Sequence, residues 1–187
     1  MKHLLTLLSF FICMTAGAQN ADKLYKEGKA LYDAEKYTEA LPLLRAAAEK
    51  GHKKAQYRMG RCYDKGYGVE EDNTLAFQWY AKSAAQDYHK AQYHLGRCYY
   101  KGKGTAKDRD KAVVWFRKAA AQDNADAQLA LGKCYLKGNG VPADKKKATA
   151  WVKKAVKNPD GGDEVLEELR RDAADGDEDA KALLALL

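Results

Sequence analysis

The chain has 187 residues with 33 Lys and Arg against 26 Asp and Glu, a net charge of +7, and only three prolines. Its length is that of about one domain. Its one long apolar run lies at the start, which excludes a polytopic membrane protein.

The charge is unevenly placed. Residues 19–158 carry 29 basic against 16 acidic side chains, a net +13, and residues 159–187 carry 3 against 10, a net −7. A basic body with an acidic end calls for an acidic partner or for the chain's own end as counter-charge. Charge of this kind sets solubility and encounter rates without naming a partner.

Residues 1–18 read as an export signal. Lys2 and His3 precede an apolar run from Leu4 to Cys13, and Ala16-Gly17-Ala18 supplies the small residues that predict cleavage before Gln19. The run is about ten residues, short of the roughly 20 that span a bilayer. Cys13 suits lipid attachment poorly, because bulky Ile12 stands where a small residue is needed. The expectation is a periplasmic or secreted chain, with a lipoprotein as the alternative and no stable membrane insertion after cleavage.

Residues 19–54 follow with Leu24, Gly28, Leu31, Tyr37, Ala40, Leu44 and Ala47 in a helix–turn–helix pattern. Three blocks of 36 residues, 55–90, 91–126 and 127–162, then align without a gap. Identical in all three are the opening Ala-Gln, Gly60/Gly96/Gly132, Cys62/Cys98/Cys134, Tyr63/Tyr99/Tyr135 and the pair Gly66 and Gly68 with its copies. Asp72/Asp108/Asp144, Ala76/Ala112/Ala148 and Trp79/Trp115/Trp151 also coincide.

Each block predicts two antiparallel helices. Ala55, Met59, Cys62 and Tyr63 recur on one helical face. Gly66 and Gly68 stop that helix, since glycine readily takes positive φ. Asp72 is placed to cap the second helix, whose inward stripe reads Ala76, Trp79, Ser83 and Ala84, with Trp79 supplying the bulk. One such hairpin cannot bury its apolar face alone, but stacked copies can. Residues 163–187 predict two short closing helices, Asp163 to Ala174 and Asp177 to Leu187, whose acidic groups give a soluble outer face.

The blocks resemble the Sel1-like repeat family, relatives of the tetratricopeptide repeat. The resemblance rests on Leu95-Gly96 to Tyr99, the Gly138 to Val141 turn, and the later Asp, Ala, Trp and Ala-Ala positions. Met59, Thr105 and Val156 depart from the pattern. Residues 19–54 lack the glycine-pair loop and read as the shorter tetratricopeptide form. The resemblance implies an all-α, right-handed solenoid of stacked helix–turn–helix repeats that serves as a scaffold for protein contacts.

Catalytic chemistry has little to stand on. Ser83 is the one serine after residue 18, and it occupies a position filled by Ala119 and Ala155. Glu70-Glu71 falls in a turn, and the Gly-x-Gly turns lack the preceding strand of a nucleotide fingerprint. Cys62, Cys98 and Cys134 read as small buried hydrophobes, because helices packed about 8–10 Å apart hold equivalent positions beyond disulfide reach. His94 and Cys98 have two-ligand spacing but no repeated partner, while His52 and His89 read as loop residues. No catalytic residue, metal site or cofactor is expected.

A binding stripe is the stronger reading. Opposite the buried face of each first helix runs Tyr57, Arg61 and Asp64, then Tyr93, Arg97 and Tyr100, then Leu129, Lys133 and Leu136, flanked by Lys65, Lys101 and Lys137. In tetratricopeptide-like solenoids this face lines the concave groove. Basic groups beside aromatic or leucine side chains suit a partner's acidic or C-terminal segment. The bland alternative is that Tyr57, Tyr93 and Leu129 pack between repeats while the basic groups are merely solvated. The expected function is an exported, non-enzymatic adaptor for a protein or peptide. A polyanion or cell-wall polymer binder, with Lys145-Lys146-Lys147 as its densest basic run, is the alternative, a hydrolase the remote one, and no nucleic-acid role is expected.

Overall fold

A computed structural model describes residues 20–187, so the export signal, Cys13 and the cleavage site lie outside the described residues. Every regular element among them is an α-helix. The first unit, up to Gln86, holds α1 (20–33), α2 (Tyr37–Glu49), α3 (Lys53–Lys65) and α4 (Asn73–Ala84). The second, Asp87–Leu187, holds α5 (His89–Lys101), α6 (Arg109–Ala120), α7 (Ala125–Lys137), α8 (Lys145–Val156), α9 (Gly162–Ala174) and α10 (Glu178–Leu184). Consecutive helices pair as hairpins: two in the first unit and three in the second.

The helix ends are written into the sequence. Gly66, Gly102 and Gly138 close α3, α5 and α7 with φ of 67°, 76° and 70°, and each donates its N–H to the carbonyl of the repeat cysteine. Asp72, Asp108 and Asp144 cap α4, α6 and α8, accepting backbone N–H groups at 2.9, 2.9 and 3.0 Å. Capping of this kind is worth about 1 kcal/mol per helix. Asp177 caps α10 in the same way. His52, read as a loop residue, is the N-cap of α3, and His89 is the first residue of α5.

Packing within a hairpin depends on a glycine facing a large side chain. A Cβ on Gly60, Gly96 or Gly132 would stand 2.6 Å from Tyr80, Phe116 or Val152 respectively. These partners correct the expected inward stripe. Tyr80, Phe116 and Val152 are the buried bulk of the second helices, and the tryptophans beside them are only half-buried. Trp79, Trp115 and Trp151 instead carry Lys82, Lys118 and Lys154 over their rings at 4.4, 4.5 and 5.8 Å. One helical step separates the two positions, and the side chain next to the glycine takes the core.

Packing between hairpins uses polar groups as well as apolar ones. Arg45 on α2 donates to the Tyr63 hydroxyl of α3 at 2.9 Å, and Arg117 on α6 repeats this to Tyr135 of α7 at 2.8 Å. The repeated glutamine that opens each block is buried, and its side-chain oxygen accepts from the amide 30 residues on. Gln86 bonds Gln56 at 2.8 Å, Gln122 bonds Gln92 at 2.9 Å, and Asn158 bonds Gln128 at 3.1 Å. In the first and third pairs the second glycine also seats its loop on the preceding hairpin, with Gly68 against Tyr37, Thr38 and Leu41 and Gly140 against Arg109.

Two closing helices form, α9 beginning one residue early and α10 running Glu178–Leu184, three residues short of the expected end at Leu187. Val165, Leu169, Ala180 and Leu183 join Ala148, Val152 and Ala155 of α8 in one buried cluster. Cys62, Cys98 and Cys134 are free thiols buried in the cores. Burial pushes the Cys62 and Cys134 thiols up to about 11, so they stay protonated and poorly nucleophilic at neutral pH.

Candidate functional site

In the first unit the predicted stripe lies on α3, beside α1. Tyr57 and Arg61 are half-buried, Asp64 is half-buried and Lys65 is exposed. The Arg61 guanidinium donates from Nη1 to the Tyr57 hydroxyl at 3.3 Å. Its Nε is buried without a hydrogen-bond acceptor. Among the described residues no carboxylate forms an ion pair with Arg61, and the groups that bear most on its charge, after burial itself, are the phenols of Tyr57, Tyr32 and Tyr80.

Residues outside the predicted stripe enlarge this face. Arg58 lies over the Tyr32 ring at 4.4 Å and pairs with Asp33 at 3.0 Å. Tyr37 and Tyr67 stack at 4.4 Å with their planes 6° apart, and Tyr32 meets both edge-on. Burial drives the Tyr32 phenol well above its ordinary range, so it remains neutral. The sequence pattern missed Tyr32 because α1 belongs to the opening hairpin, outside the 36-residue blocks. The signal was the spacing of Tyr25 and Tyr32 at i and i+7 on one helix face.

In the second unit the stripe divides. Arg97 sits 5.8 Å from the Tyr93 ring, and both are half-buried. Loss of hydration and Glu168 push the Asp126 carboxyl up, while Arg97 opposes them, so the Arg97 charge already acts on an acidic neighbour. Tyr100 accepts a hydrogen bond from Asn139, between the glycines of the next loop, at 2.8 Å. Lys101 is exposed. Leu129 corrects the prediction: it is 5% exposed and packs in the core with Ala125 and Tyr135, because the closing hairpin covers this face of α7. Leu136 is half-buried against the same cluster. Lys133 is half-buried and exposed Lys137 pairs with Asp179. Backbone N–H donors hold the Asp177 carboxyl well below its usual range, assisted by Lys133 and Lys137. At the third repeat, therefore, the chain's own end supplies the counter-charge.

Among the described residues no group of three His, Cys, Asp or Glu side chains converges as a metal site, and no helix is long and apolar enough to cross a membrane.

The Sel1 repeat model matches residues 21–52, 53–88, 89–124 and 125–160, most of the chain. The chain belongs to the Sel1 repeat family. Each matched Sel1 repeat from the second onward starts at or beside the first residue of α3, α5 or α7, two residues ahead of the blocks aligned on Ala55. The model also matches the first unit's opening hairpin, which lacks the glycine-pair loop. Sel1 repeat proteins are generally non-enzymatic scaffolds for protein interaction. Among solved structures, a Sel1 repeat protein from Oxalobacter formigenes is 33% identical over 86% of this chain and 74% of its own, with a TM-score of 0.68. The c5321 protective antigen of uropathogenic Escherichia coli is 31% identical over 87% of this chain, with a TM-score of 0.73, and this chain spans 35% of its length. Cysteine-rich protein B of Helicobacter pylori shares the fold at 23% identity, covering 75% of this chain and 93% of its own, with a TM-score of 0.51. No curated protein matches.

Proposed function

We propose that this Sel1 repeat protein is an exported adaptor whose first-helix faces bind an acidic segment of a partner protein. The observation that carries the reading is the pairing of half-buried arginine with tyrosine, Arg61 with Tyr57 and Arg97 with Tyr93. An arginine held against a tyrosine, by its hydroxyl or its ring, has lost rotamer freedom before a ligand arrives. It can then receive a carboxylate at a smaller ordering cost than a free surface lysine. The first eighteen residues address the chain to the envelope or the exterior, and amino-terminal sequencing of the exported product would begin at Gln19.

Affinity capture from the native envelope fraction tests the adaptor, with the exported chain as bait at physiological salt. A second bait carries Arg61→Glu and Arg97→Glu, after circular dichroism shows equal helicity. The expected result is a defined protein held by the first bait and lost from the second. Equal capture by both moves the site off these helices. Recovery of polysaccharide alone, eluted by salt, puts the polyanion reading in its place.

A further inference from the structure

The stripe's cations differ in what already opposes them. Lys137 pairs with Asp179, Lys133 helps hold Asp177 ionised, and Arg97 acts on Asp126. Arg58, one turn from Arg61, is matched by Asp33. Arg61 alone of these has only phenols among the groups that bear most on its charge, and phenols are neutral at physiological pH. Among the described residues no carboxylate pairs with its half-buried charge, and one of its N–H donors has no acceptor.

Leaving a buried donor unmet and a charge half-desolvated both carry a free-energy cost. A carboxylate brought by a ligand relieves both at once, through charge-assisted hydrogen bonds that are about twice as strong as neutral ones. The walls fit the same ligand. Tyr57 is half-buried beside Arg61, and Tyr32, which meets Tyr37 and Tyr67 edge-on, approaches from α1. Binding surfaces concentrate their energy at such arginine and tyrosine clusters. We infer that Arg61 is the anchor of the binding face and takes one peptide carboxylate, with an apolar peptide side chain against the neighbouring tyrosines. The inference rests on the adaptor reading and narrows it to one residue and one ligand group.

The carboxylate could belong to an Asp or Glu side chain or to a chain terminus, and the experiment separates these. The ¹⁵N-labelled protein, expressed from its full reading frame, is titrated to millimolar concentration with three leucine-containing tetrapeptides. One is capped at both ends and carries a single aspartate, and one is its asparagine counterpart. The third is uncharged except for a free C-terminal carboxylate. The Nε–H resonances of the arginine side chains are followed. The expected result is a saturable shift at Arg61 with one or both carboxylate peptides and none with the asparagine peptide. Whichever acid binds identifies the source. Arg61→Gln should weaken that binding about tenfold or more, the value of one charge-assisted contact, while a change at exposed Lys146, Lys146→Gln, leaves it within about threefold.

No saturable shift, equal shifts at Arg58, Arg61 and Arg97, or binding retained in a folded Arg61→Gln variant would each overturn the assignment. Partner capture lost from the doubly reversed bait, with no peptide response at Arg61, removes this inference and keeps the adaptor. A peptide response at Arg61 with capture unchanged keeps Arg61 as a carboxylate site and moves the captured partner's site off these helices.

Discussion

At the scale of single residues, the repeat is governed by where a side chain cannot be tolerated. Gly132 faces Val152, whose Cγ2 would stand 2.6 Å from an added Cβ. Valine is stiff at χ1 and cannot swing away at small cost. Gly132→Ala should therefore destabilise by about 1–3 kcal/mol through overpacking, read from urea unfolding. Adding Val152→Ala should remove the clash, so the pair should cost less than the two single changes summed. Strict additivity would mean that the glycine is there for another reason. His52 makes a second residue-scale case. Its Nδ1 accepts the Ala55 N–H at 3.1 Å, which requires a neutral ring, and Nε2 lies 3.2 Å from Asp22. Burial lowers the His52 pKa below 6.5, with Asp22 acting against it. A depressed histidine pKa means the unfolded chain binds the proton first. Its contribution is then present above pH 6.5 and lost as the pH falls towards the folded value. His52→Asn keeps a capping side chain without a titrating one. It should flatten the pH dependence of stability just below that value, measured by thermal melts in steps of pH.

At the scale of elements, α3, α5 and α7 each end in two glycines, and after α7 the two do different work. Gly138 has φ of 70° and its nearest neighbours beyond an added Cβ lie at 3.4 Å, so conformation alone requires it. Gly140 has φ of 73° and would also place a Cβ 2.2 Å from the Arg109 carbonyl. Gly138→Ala should then cost about 1–2 kcal/mol, the left-handed backbone penalty. Gly140→Ala should cost more, because the loop must also lift from the start of α6. Equal costs by chemical denaturation would remove the docking role. The sequence made the helix ends, caps and hairpin count legible, since glycine, aspartate and apolar spacing act locally. It also marked the opening glutamine as repeated, yet offered no reason for a buried amide. The reason is non-local: Gln128 is 0% exposed and accepts from Asn158, 30 residues away. The tryptophan misreading has a related origin. Periodicity locates a face to within one position, while the deep place on that face is decided by which residue meets the partner helix's glycine. At the site, the arginine–tyrosine pairing was legible from i, i+4 spacing. Leu129 reads both ways from its spacing, as groove or as packing, and what the closing hairpin covers decides for packing.

At the scale of the whole molecule, the question is whether the acidic end is held by its charge or by its apolar seam. The counter-charge is real, for Lys137 meets Asp179 on α10, and Lys133 and Lys137 both favour the ionised Asp177. An exposed ion pair is nevertheless worth only about 0–1 kcal/mol, and salt screens it. Leu169 is 0% exposed and sits in the cluster with Val152, Ala155 and Leu183. Emptying such a position costs about 2–5 kcal/mol. Leu169→Ala should therefore strongly destabilise the second unit, whereas Asp179→Asn should shift stability by no more than about 1 kcal/mol and lose that effect at high salt. The reverse order in denaturant titrations would show that the acidic end is clamped by charge. If the apolar seam dominates, as these magnitudes require, the carboxylates of α9 and α10 stay where they are without consuming much stabilising energy. They then act mainly by quenching the basic field at the third repeat, whereas Arg61, the anchor proposed above, lies in the first unit.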